Sequence, residues 1–79
     1  MAFDITTASL DEIKNKCRLI SKDEHGHEIQ DQRITMMAKI YNVKQEADVA
    51  NESGAKEVGE WLTKRAAELA DNWSDQLND

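Results

Sequence analysis

No proline occurs anywhere in the 79 residues, and only three glycines do. The chain therefore lacks the punctuation that stops helices and closes tight strand turns, so any apolar periodicity can run on unbroken. That periodicity is helical. Ser9 followed by Glu12 has the spacing of a capping box, in which the serine oxygen accepts an orphan amide and the glutamate reaches back. Behind it Leu10, Ile13, Cys17 and Ile20 recur at intervals of three and four, which puts them on one stripe of a helix over 10–21.

Lys22 to Glu28 is polar throughout and contains Gly26. It reads as a loop between helices; the alternative is a hairpin turn joining short strands at 18–21 and 27–30. A second helix is expected over 28–50, and it has two apolar sides. At about 100° per residue, Ile29, Met36, Ile40, Val43, Ala47 and Ala50 share one face, while Ile34, Met37 and Tyr41 form a stripe about 130° away. Either a central helix packs on both neighbours, or one face serves the internal core and the stripe of Ile34, Met37 and Tyr41 serves self-association.

Asn51-Glu52-Ser53-Gly54 brings turn formers, with Ser53 or Asn51 available to cap a third helix; a helix continuing through Gly54 and Gly59 is the alternative, at about 1 kcal/mol per glycine. That third helix, over 55–77, places Val58, Leu62, Ala66, Leu69, Trp73 and Leu77 on one stripe. Trp61 lies off it, four residues before Arg65, where an exposed cation–π stack is expected. The expected architecture is all-α: three helices, the last two an antiparallel hairpin, in a single small helical domain spanning 1–79 with frayed ends. A chain this short buries only about 60% of the surface its unfolded form exposes, so a second copy covering an apolar face would help, and a twofold dimer is the commonest arrangement.

Chemistry finds little support. Cys17 falls on an apolar stripe, where cysteine acts as a small hydrophobe rather than a nucleophile. His25 and His27 flank a glycine in a charged loop, with Asp23 or Glu28 able to complete a zinc-like set, but solvated histidines are the simpler account. No phosphate loop, nucleophile elbow or His-Glu-x-x-His pattern occurs. Glu57 and Glu60 lie on a polar helix side in a chain too small to desolvate them. No enzyme, no cofactor and no metal site is expected. The start has neither a basic nor an apolar leader region, nothing is long and apolar enough to span a membrane, and a single cysteine suits a reducing interior. A cytoplasmic protein is expected.

Charge is more informative. The formal net charge is −6, but residues 1–22 are slightly basic, whereas after Arg65 no cation appears and Glu68, Asp71, Asp75 and Asp79 succeed one another along one helix side. Acids at a helix C-terminus oppose the macrodipole, by about 0.3–1 kcal/mol each, and like charges at that spacing repel. Helix stability did not select them. Solubility is one account; an acidic ridge that meets a basic surface, with salt-sensitive steering, is the other. Val49, Ala50, Gly54 and Val58 share features with a helix-turn-helix, but Glu60 stands where the branched residue belongs and Val58 comes two positions early.

The expected function is a small acidic accessory or inhibitor protein that sequesters a protein partner with a basic surface. Glu68, Asp71 and Asp75 would steer, and Trp61 and Tyr41 would anchor. A phage or mobile-element origin is a base-rate expectation for such a chain. A helix-turn-helix-like DNA-binding regulator and a purely structural helical oligomer are the alternatives, with direct nucleic-acid binding disfavoured by charge.

Overall fold

The computed structural model describes residues 2–79. It contains α1 (Leu10–Ile20), α2 (Gln32–Glu52) and α3 (Lys56–Leu77), with α2 and α3 folded back on each other as a helical hairpin. The capping box is in place: the Glu12 amide donates to Ser9 Oγ at 3.2 Å, and the Ser9 amide donates to Glu12 Oε1 at 3.4 Å.

Residues 22–28 do more than connect. Lys22 and Glu28 form an isolated antiparallel bridge, the Ile29 amide donates to the Ser21 carbonyl at 2.9 Å, and the Asp23 amide donates to the His27 carbonyl at 2.9 Å. Gly26, at φ 82°, takes the left-handed turn, and Asp23 Oδ1 accepts the amides of His25 and His27. The element is a miniature hairpin too short for strands. It also explains why α2 begins four residues later than the spacing predicts. The bridge holds Glu28 and Ile29 extended alongside Lys22 and Ser21, outside helical geometry, so α2 begins only after Asp31, whose carboxylate accepts the Arg33 amide at 2.9 Å. Ile29 therefore lies outside α2 and half in solvent.

At its other end α2 runs two residues past expectation and closes with a Schellman motif. The Ala55 amide donates to the Ala50 carbonyl at 2.9 Å, the Gly54 amide donates to the Asn51 carbonyl at 3.3 Å, and Gly54 sits at φ 88°. Neither Ser53 nor Asn51 caps α3, whose N-cap is Ala55 with no side-chain hydrogen bond. The residue of α3 pressed against α2 there is Gly59, where an added Cβ would lie 2.7 Å from Asn51 Cγ. This rotates the buried face of α3 to Gly59, Ala66, Leu69, Ala70 and Leu77 and leaves Val58 52% exposed, outside the expected stripe.

The core contains Ile13 from α1, Met37 and Ile40 from α2, and Leu69, Ala70 and Leu77 from α3. It also contains Ile5 and Ala8, from the segment that precedes α1. Met37 and Ile40, from the two apolar stripes of α2, are both essentially sealed. Helix α2 is thus the central rod: α1 packs on it along one side and α3 along another, and the α1 and α3 backbones do not approach each other closely among the described residues.

Hydrogen bonds link residues near the two ends of the chain. Asn78 Oδ1 accepts the Ile5 amide at 2.6 Å, the Asp79 amide donates to the Phe3 carbonyl at 3.0 Å, Lys16 Nζ reaches Asp79 Oδ2 at 2.6 Å, and Lys44 Nζ donates to the Ala8 carbonyl at 2.6 Å. Groups distant in sequence thereby satisfy the backbone of a segment that has no regular structure of its own.

Candidate protein-binding face and groove

Helix α3 has an outer face. At about 100° per residue, Trp61, Glu68, Asp71 and Asp75 fall within about 80° of one another, on the side opposite the buried Ala66, Ala70 and Leu77. Trp61 is 65% exposed. Val58, one turn before it, is also exposed, so the two form a small apolar spot with Glu57 and Glu60 close by on the helix surface. The spot is legible only once Gly59 is known to be the contact with α2, because helical spacing alone assigns Val58 to the core.

The expected Trp61–Arg65 stack does not form. Arg65 Nη1 instead lies 3.7 Å from Glu68 Oε2, and the cation–π contact among the described residues is Lys16 over Phe3, at 5.5 Å from the ring centroid. Asp71 and Asp75 have no ion-pair partner among the described residues, so their charge is presented outward. Asp79 is different. Its hydrogen bond to Lys16 holds its carboxyl below the ordinary carboxylate value, with the charges of Lys16 and Arg33 adding to the effect. The fourth acid of the run therefore serves the fold and not the ridge.

Tyr41 does not join that face. It is half-buried against the core and lines a shallow groove between α1 and α2 with Ile13, Lys14, Cys17, Ile34 and Ala38. The groove is almost entirely apolar. Of the three residues assigned to self-association, Ile34 and Tyr41 stand at this groove, while Met37, at 1% exposure, is inside the core and presents no surface. The correction has a simple origin: a residue between the two faces of a helix that packs on two neighbours is covered by both. Sequence reasoning missed Lys14, Cys17 and Ala38 as groove residues, because a groove is a property of two helices and its α1 half cannot be seen from α2.

Elsewhere the chemistry is sparse. Burial pushes the Cys17 thiol above its ordinary value, which keeps it protonated and poorly nucleophilic. The His25 and His27 side chains are largely in solvent, with ring centroids 6.3 Å apart, and one oxygen of Asp23 is already occupied by their two backbone amides. Among the described residues no group of three or more His, Cys, Asp or Glu side chains is placed to hold a metal ion. No helix among them is long and apolar enough to cross a membrane. Asp31 and Arg33 form a bidentate pair at the start of α2, and the hydrogen bonds from Arg33 lower the Asp31 carboxyl.

Comparison with known protein families, curated proteins and solved structures finds no match.

Proposed function

We propose that this is a non-enzymatic binding protein, a small acidic accessory or inhibitor that engages a protein partner with a basic surface through the outer face of α3. The observation that carries the reading is Trp61, an indole 65% exposed on a face whose other side already supplies the core. Folding gives little reason for a tryptophan there, because most of its surface is left in water. Large, rigid aromatic side chains of this kind are favoured interface anchors, often contributing about 2 kcal/mol or more to a complex. The unpaired carboxylates of Asp71 and Asp75, with Glu68, supply long-range attraction toward cations on the partner. Tyr41, in the groove, belongs to a separate surface and is not part of this contact. A reducing, cytoplasmic setting suits a chain with one unpaired cysteine.

The test is capture of a stoichiometric partner by the immobilised chain, repeated with Trp61→Ala and with Glu68→Lys combined with Asp71→Lys. Retention should weaken as salt rises and be lost in both variants, which alter only exposed positions. A partner retained equally by both variants would refute the assignment of the face, and a shift of duplex DNA at physiological salt would refute the class.

A further inference from the structure

The α1–α2 groove and the outer face of α3 are complementary to each other, in apolar content and in charge. The α1–α2 groove is open, about 250 Å³ in extent and lined almost wholly by carbon, with Ile13, Cys17, Ile34, Ala38 and Tyr41 as its walls. Its α1 rim is cationic. Between Ile13 and Lys22 the chain carries Lys14, Lys16, Arg18 and Lys22 and no acid. Lys16 turns to Asp79, but Lys14 and Arg18, one helical turn apart, have no ion pair among the described residues. The outer face of α3 is acidic on balance: Glu57, Glu68, Asp71 and Asp75 outnumber Lys64 on it, no cation follows Arg65, and the exposed apolar pair Val58 and Trp61 lies beside these acids.

We propose that the chain docks on itself head to tail, the outer face of α3 of one copy lying in the α1–α2 groove of another. Trp61 covers the groove walls, and Glu68 and Asp71 face Lys14 and Arg18. The proposal rests on the reading of the α3 face as a protein-binding surface and names a second copy as an occupant of the matching groove. Two physical deficits are met at once. A groove of apolar side chains and an exposed indole both leave water, which stabilises association by about 25 cal/mol per Å² of apolar surface covered. Charges of opposite sign also meet between copies: Asp71, Lys14 and Arg18 have no ion pair within a copy among the described residues, and Glu68 has only its 3.7 Å pair with Arg65. The contact joins two different patches, so it is heterologous, and copies add until a ring closes or ends remain open.

The test is a charge swap followed by mass measurement with light scattering or sedimentation. The unaltered chain should exceed monomer mass at about 1 mM in low salt and dissociate toward monomer as ionic strength reaches about 0.5 M, where the Debye length falls to a few ångströms. A ridge variant, Glu68→Lys with Asp71→Lys, and a rim variant, Lys14→Glu with Arg18→Glu, should each be monomeric alone. Mixed one to one they should associate again, because each now meets the opposite sign on the other. Trp61→Ala should weaken association by at least about tenfold, the size expected for a central aromatic anchor. Far-UV circular dichroism checks that all variants keep their helices. An unaltered chain that stays monomeric in low salt, or a mixture that stays monomeric, overturns the self-docking. If the Trp61 and ridge variants still lose a foreign basic partner in that case, the α3 reading stands without the self-docking; if both fail, the face is not an interface.

Discussion

Truncating Ile5 to alanine tests the least expected part of the architecture. Ile5 precedes every helix, yet it is 1% exposed in the same cluster as Ile13, Ile40 and Leu77. The change removes three carbons, worth about 2.4 kcal/mol at about 0.8 kcal/mol each in transfer alone. A cavity term adds to this, and large-to-alanine substitutions in cores cost about 2–5 kcal/mol in total. Ile5 also borders a cleft shared with Ala47, Ala66 and Ala70. The neighbouring residues can therefore relax into the space, which places the expected loss at about 2.5–3.5 kcal/mol. A chain of this length is expected to be stable by only about 4–12 kcal/mol, so the substitution removes a large share. In urea followed by circular dichroism at the helical band, the midpoint should fall with an unchanged slope, and the melting temperature should drop by roughly 10–25 °C. Thr6→Ala is the control. Thr6 is exposed and loses only its hydrogen bond to Asp4 at 2.6 Å, so its cost should stay below about 1 kcal/mol. If Ile5→Ala costs no more than Thr6→Ala, the segment before α1 is not part of the core and Ile5 does not pack against α1, α2 and α3.

Ser9→Ala removes one half of the capping box and should cost about 1 kcal/mol by chemical denaturation. Gly54→Ala forces a Cβ into the left-handed region at φ 88° with open space around it, so the penalty is purely conformational, about 1–2 kcal/mol by the same measurement. Acid should destabilise the fold in a defined direction: Asp4, Asp31 and Asp79 all have carboxyls held below the ordinary 3.8 in the folded chain, chiefly by hydrogen bonds to Thr6, Arg33 and Lys16. Their contribution is fully present above the unfolded value and is lost as pH falls through the folded ones, so their part of the thermal stability should decline as pH drops below 3.8. Replacing Asp79 with Asn should shrink that acid-dependent loss. Cys17 should react with a disulfide reagent more slowly than a free thiol at about pH 8, and denaturant should remove the difference; reaction at the free-thiol rate in the native state would contradict its burial.

Helix content and the number of helices were legible because they depend on near neighbours. The Ser9–Glu12 pair, the absence of proline and the three-and-four spacing of Leu10, Ile13, Cys17 and Ile20 act within a turn or two of backbone. So does the acidic run after Arg65, and with it the outer face of α3, since residues on one helix keep their relative directions whatever the helix packs against. The exposed position of Trp61 comes from the same geometry.

Tertiary structure alone decided the rest, wherever the outcome turned on atoms distant in sequence. Helix α2 starts late because the Lys22–Glu28 bridge holds the chain extended there, and Val58 is turned outward because Gly59 lets α3 approach Asn51. The two apolar stripes of α2 are common to a helix that packs twice within one chain and a helix that packs once and binds a partner. Only the arrival of α1, α3 and the Ile5 segment shows that Met37 is enclosed while Ile34 and Tyr41 remain beside an open groove. Periodicity states which side chains need covering; what covers them depends on which surfaces the folded chain brings within reach.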